Sequence, residues 1–103
     1  MSRYTLQWRC WVRNFRHKGL QQLYLKDDRR RLPAEAVDKL RKILAFLDDM
    51  DSAEELFALP TWKAHRLTGE RKGDWGLHVT ANWRLTFHIE QDEICDVNYE
   101  DYH

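Results

Sequence analysis

The spacing of apolar residues changes along the chain, and each change marks an element. WRCWVRNF, residues 8–15, alternates Trp8, Cys10 and Val12 with Arg9, Trp11 and Arg13, which predicts a strand. HKGLQQLYL sets Leu20, Leu23 and Tyr24 on one side and predicts a short helix. KDDRRRLP reads as a charged turn. The clearest element begins at Pro33, a residue suited to a first helical position. From there Ala36, Leu40, Ile43, Leu47 and Met50 recur at spacings of three and four, widened by Val37 and Leu44. Glu35 with Lys39 and Asp38 with Lys42 stand four apart on the outer face, in the favourable order. This helix should end in the acidic run DDMD. SAEELFALP follows as a short turn in which Ser52 and Glu55 have capping-box spacing.

After Pro60 the apolar period drops from that of a helix to that of a strand. WKAHRL predicts a strand, and DWGLHVTA places Trp75, Leu77 and Val79 on one face. NWRLTFHIE places Trp83, Leu85, Phe87 and Ile89 on one face and Arg84, Thr86 and His88 on the other. Ala81-Asn82 falls where a tight hairpin turn belongs, and Asn tolerates the left-handed region. EQDE is a second turn and EICDVNY the last strand. The order is an N-terminal strand, two helices, then an antiparallel meander of three to four strands. That is an α+β fold with helices packed on one sheet face and a polar, open second face.

Length and composition narrow the picture. A chain of 103 residues, 43% hydrophobic, supports one domain with one core. We assign that domain to residues 12–103, with 1–11 as an N-terminal extension or the start of the first strand. No apolar run approaches the ~18 residues of a membrane span, and MSRYTLQW lacks the apolar stretch of a signal peptide. The expectation is a cytoplasmic protein with no membrane partner. Cys10 and Cys95 have no framework spacing, which suits reduced thiols. The zero net charge is split: residues 1–42 hold twelve Lys and Arg against four Asp and Glu, and the remainder reverses the excess. The basic half suits phosphates, while pairing between the halves accounts for some of these charges.

The open face collects His65, His78, Arg84, Thr86 and His88, and the chain end brings Asp101, Tyr102 and His103 near them. The loop LTGERKGDW carries Arg71-Lys72 between two glycines. Such cations, imidazoles and a phenol suit phosphoryl transfer in RNA. One group removes the 2′-OH proton, a cation holds the charge on phosphorus, and another group protonates the leaving 5′-oxygen. An imidazole near its ordinary pKa of ~6.5 can take either proton role. No H-x₃-H, HExxH or CxxC spacing points to a metal, so none is expected, nor any cofactor. GERKG lacks both the pattern and the strand-to-helix setting of a phosphate loop. His17 suits a helix start with a local hydrogen bond, and His78 and His88 taken singly suit solvated strand positions. Trp62, Trp75 and Trp83 read as core.

Four stretches together, FRHKGL (15–20), HRLTGERKGDW (65–75), ANWRLTF (81–87) and NYEDYH (98–103), resemble the HigB-type host-inhibition toxins of the RelE/ParE superfamily. The resemblance implies a RelE-like fold and a ribosome-dependent endoribonuclease, an mRNA interferase that cuts the message in the A site of the 70S ribosome without a metal. It also implies a HigA-like helix-turn-helix antitoxin, whose complex with the toxin binds operator DNA. Residue by residue, it places catalytic roles on His65, Arg84, Asp101, Tyr102 and His103. RNA contacts would come from Arg66, Arg71, Lys72, His17 and Lys18. Where that family often has a lysine this chain has Thr68, and Arg66 or Arg71 is the candidate to replace the lost cation. Two other readings stay open: a catalytically silent RelE-fold interaction protein, and a ParE-like gyrase poison.

Overall fold

The computed structural model describes residues 11–58, 62–91 and 93–101. In chain order these give β1 (Trp11–Val12), α1 (Lys18–Lys26), α2 (Ala34–Asp49), a 3₁₀ turn (Ala53–Ala58), β2 (His65–Arg66), a second 3₁₀ turn (Gly69–Arg71), β3 (Trp75–Thr80), β4 (Trp83–Glu90) and β5 (Glu93–Asp101). The strands form one sheet in the order β1-β5-β4-β3-β2. Strands β2 to β5 make the expected antiparallel meander. β1 lies parallel on the far side of β5, with Trp11 opposite Glu93 and Val12 opposite Ile94. The sheet therefore places the last strand in its interior.

The helices form where the apolar stripe demands them. α2 buries Ala36, Val37, Leu40, Ile43, Leu44 and Leu47, and its first turn carries Glu35, the favourable charge at a helix N-terminus. Pro33 caps it from extended backbone, so the helix starts at Ala34, one residue after the expected start. Against this stripe pack Leu77, Val79, Leu85, Phe87, Ile94, Val97 and Tyr99 from the sheet, and Leu20 and Leu23 from α1. Tyr24 ties α1 to α2 by donating its hydroxyl to Asp48, 2.5 Å away. The outer face of α2 is linked by Arg41, which reaches Asp27 at the end of α1 at 2.8 Å. Half of the expected box at Ser52 forms: Glu55 Oε2 accepts from the backbone N–H of Ser52 and of Asp51, while the Glu55 N–H bonds the Ser52 carbonyl.

Three expectations need correction. First, the described part of the first strand is shorter than 8–15. Only Trp11 and Val12 pair as a strand, followed by a bridge from Phe15 to Val97, while 8–10 lie outside the described residues. Second, WKAHRL contributes only His65 and Arg66 to the sheet. Lys63 has φ 49, and a left-handed residue breaks an extended run. Third, Ala81 and Asn82 turn the β3–β4 hairpin without positive φ. Alanine disfavours the left-handed region that a primed turn requires. The pairing instead slips between His78 and Thr80, one extra residue on β3 absorbing the twist.

A second slip matters more. Thr86 pairs with Asn98 but His88 with Cys95, so Asp96 and Val97 together oppose Phe87. Asp96 takes φ 56 at this bulge. It is held there by Asn14, which donates to its carboxylate and accepts from its N–H, both at 2.9 Å. The bulge changes which residues of β5 face the helices. Before it Ile94 points to the core, and after it Val97 and Tyr99 do.

The packing yields one stability prediction. Leu40 is fully buried in α2 against the sheet. Leu40→Ala should cost about 2–5 kcal/mol, read as a lower midpoint in urea denaturation with an unchanged slope.

Candidate active site

Two rows of side chains cross the open sheet face. In one, β-pairing aligns His65, Gly76, Thr86 and Asn98. In the next it aligns His78, Arg84 and Glu100. The rows exist because β2 to β5 run antiparallel in register there, so alternate residues share a face.

His65 is fixed at the edge of the first row. Its Nδ1 lies 2.9 Å from the Lys63 carbonyl, an acceptor only, so Nδ1 carries a proton, and in the neutral ring Nε2 is then the acceptor. The left-handed turn at Lys63 is what aims that carbonyl at the ring. Gly76 provides the room beneath: a Cβ there would stand 3.1 Å from His65 Cε1 and Nε2, and 3.2 Å from Leu67 Cδ2.

The second row centres on a residue the sequence reading did not single out. Glu100 accepts both arms of the Arg71 guanidinium, Nη1 to Oε1 at 2.6 Å and Nη2 to Oε2 at 2.7 Å. Thr86 Oγ1 donates to Oε2 at 2.6 Å and Asn98 Nδ2 at 3.3 Å. Arg84 Nη2 stands 3.6 Å from Oε1. The Arg71 fork, followed by the Thr86 and Asn98 bonds, holds the Glu100 carboxyl down at about 2, although its burial works the other way. The same carboxylate raises the Arg71 guanidinium. Thr86 is itself almost fully buried, as a good partner for a half-hidden carboxylate must be. Below this cluster a polar cavity of about 20 Å³ runs from Arg71 and Glu100 to Arg16, His88 and Asp96, room for about one water.

Arg71 reaches Glu100 from the β2–β3 loop. Gly69 at φ 71 and Gly73 at φ 101 let that loop turn back, and Leu67 N–H bonds the Asp74 carbonyl at 2.8 Å to close it. Asp74 also approaches Arg71 Nε at 3.4 Å.

The remaining expected residues are spread over the molecule. Lys72 is exposed at the tip of the loop. Arg66 lies across from Trp75, its guanidinium 5.0 Å from the indole centroid, on the sheet face opposite to His65. His17 caps α1, accepting from Leu20 N–H at 3.2 Å, with its ring edge against Tyr99. Burial there lowers its pKa. Lys18 is exposed at the start of α1. Trp75 is core, and Trp83 stacks on Tyr99 at 4.7 Å on the core side. Asp101 pairs across from Trp83, one step out of phase with Arg84, whose cross-strand partner is Glu100. Tyr102 and His103 lie outside the described residues.

The signal for Glu100 was present in the sequence. Ile94, Val97 and Tyr99 are spaced three then two apart, and that interval of three inside an alternating strand marks the bulge. Counted through it, Asn98 and Glu100 fall on the open face.

Among the described residues one group has donors suited to a metal. His88, Glu90 and Cys95 bring one donor atom each to within 4.8 Å of one another, at the opposite end of β4 from Arg84. Arg13 already bridges Glu90 and Glu93, at 3.4 and 2.9 Å. Cys95 is a buried free thiol, its pKa pushed up by burial. No helix among the described residues is long and apolar enough to cross a membrane.

Helices thus cover one face of the antiparallel meander, and an imidazole and guanidiniums gather on the other. The fold is similar to that of a YafQ mutant from E. coli, with a TM-score of 0.54 at 18% identity, over 90% of this chain and 92% of that one. Residues 13–103 match the HigB-like toxins, and the chain belongs to this family of RelE-like toxins of type II toxin-antitoxin systems. It is 38% identical over 92 residues to a protein named endoribonuclease HigB from Proteus vulgaris, covering 89% of this chain and 99% of that one.

The held carboxylate has a pH signature. Its folded pKa lies below the ordinary 4.5, so its contribution to stability is present above that pH and fades as pH falls toward about 2. Glu100→Gln should be less stable than wild type by on the order of 2–3 kcal/mol at neutral pH, the gap closing between those two values. Urea denaturation at a series of pH values measures it.

Proposed function

We propose that this toxin is an endoribonuclease that cuts messenger RNA on the ribosome. The observation that carries the reading is His65 with Nδ1 committed to the Lys63 carbonyl, its Nε2 on the same sheet face as Arg84 and Arg71. That face joins a proton-transfer group to cations, the pair of functions that RNA self-cleavage needs. The name of the Proteus vulgaris relative supports the same activity.

The reaction requires no group beyond the RNA and this chain. The 2′-oxygen attacks the adjacent phosphorus while its proton passes to a base. Charge gathers on the phosphoryl oxygens, and the leaving 5′-oxygen takes a proton from an acid. The products are a 2′,3′-cyclic phosphate and a free 5′-hydroxyl. Arg84 stabilises the charge, in a setting where preorganised donors outweigh their value in water. In this reading His65 and His103 divide the two proton roles, and Tyr102 and Asp101 assist them. Arg66, Lys72, His17 and Lys18 serve the RNA or its ribosomal surroundings. In this reading the site of action is the A site, no metal takes part, and the protein works in the cytoplasm. A HigA-like helix-turn-helix antitoxin neutralises it, and their complex binds operator DNA.

Primer extension on a defined message held on 70S ribosomes tests this. Wild type should cut within the A-site codon and leave free RNA intact. Arg84→Ala should cut about 10²–10³-fold more slowly. A folded wild type that leaves the message whole would overturn the nuclease reading and direct attention to topoisomerase poisoning.

Two further variants test the proton-transfer groups. Gly76→Ala pushes a methyl toward the His65 ring and should lower cutting about tenfold or more while the fold persists by circular dichroism. Removal of His103 alone should abolish growth inhibition and leave antitoxin binding intact. An equally toxic chain ending at Tyr102 would remove the terminal imidazole from the mechanism.

A further inference from the structure

The open face holds a carboxylate for which the proton-transfer scheme has no use. Glu100 is 17% exposed, and both its oxygens are engaged. Held so firmly in its ionised form, it makes a poor base at neutral pH. Its geometry fits another task. Arg71 comes from a loop with two glycines, and Arg84 from the middle of the sheet. Two long cations from separate elements do not gather on their own, because like charges repel and each long side chain loses rotamer freedom when it is fixed. Glu100 between them cancels part of the repulsion, and Asp74 at 3.4 Å from Arg71 Nε offsets more of it, so what the pair offers a phosphate is converging N–H donors and not a net charge. Arg71 also retains donors: one hydrogen on each Nη points to Glu100, and each Nη bears a second.

We propose that Glu100 is a positioning residue that fastens Arg71 beside Arg84, so that the two guanidiniums form a paired cation site for one RNA phosphate. Thr86 and Asn98 complete the seat by fixing the carboxylate oxygen that Arg84 does not face. The inference rests on the nuclease reading for its substrate. It narrows the RNA contact expected of Arg71 to a phosphate shared with Arg84, and gives Glu100 a role by way of the arginines, not by contact with RNA.

Two measurements test it. The first is single-turnover cleavage of ribosome-bound message by wild type, Glu100→Gln, Arg71→Ala and Arg71→Lys, with thermal melts of each. At saturating toxin the rate should fall about 10–100-fold in Glu100→Gln and Arg71→Ala. Arg71→Lys, which keeps the charge and loses the fork, should fall between these and wild type. Variants that melt earlier yet cut at the wild-type saturating rate would reduce Glu100 to a structural part and overturn the proposal. The second follows the Nε–H resonances of Arg71 and Arg84 by NMR during titration with a 2′-O-methylated trinucleotide, which binds but cannot be cut. Both should shift together in wild type, and only that of Arg84 in Glu100→Gln. A stationary Arg71 in wild type overturns the paired site. If wild type cuts no RNA, the nuclease reading fails by itself, and the titration still decides the arginine pair.

Discussion

The left-handed Asp96 is the constraint on which the arrangement of the open face depends. A strand that alternates strictly would turn Val97 and Tyr99 away from the helices if Ile94 faced them. One extra residue at Asp96–Val97 removes the conflict, and both halves of β5 bury their apolar side chains. An aspartate in the left-handed region is tolerable because its short polar side chain finds local partners, here Asn14 on both its carboxylate and its N–H. The same step carries Asn98 and Glu100 round to the polar face. A packing requirement on one side of the sheet thus decides the electrostatics of the other.

Much of the fold was legible in the sequence, and for identifiable reasons. The α2 stripe and the β3 and β4 alternation rest on burial of one face, which leaves a regular trace in residue order. The α+β arrangement followed from those periods and the antiparallel turns between them. Less legible were features that depend on single backbone angles. Lys63 in left-handed geometry shortens β2 to two residues, and nothing in WKAHRL announces it. The parallel partnership of β1 with β5 is a long-range choice that local pattern does not encode.

The site was legible in part. Residue type and strand parity put His65 and Arg84 on the open face, where the structure has them, and their catalytic roles came from the family resemblance. Glu100 is hard to read from sequence because it stands beside Asp101 at the end of the chain, and an acid beside an acid looks like solvated charge. The cation question raised by Thr68 was also beyond the sequence. Arg66 and Arg71 look equivalent as letters. In space Arg66 lies on the helix-side face over Trp75, while Arg71 lies on the open face with Arg84. Strand parity separates the first, and a salt link 29 residues long in sequence places the second.

The interior position of β5 has a kinetic consequence. Asn14 and Asp96 are 82 residues apart in sequence, and β5 must pair with both β1 and β4 before the sheet is whole. Such non-local closure delays folding, because loop entropy is lost before the contacts form. The helical hairpin and the β3–β4 hairpin can assemble early from local contacts, leaving the inner edge of β4 bare. Arg84 has Glu100 as its counter-charge only when β5 is paired with β4, so the open face is complete only in the fully docked sheet.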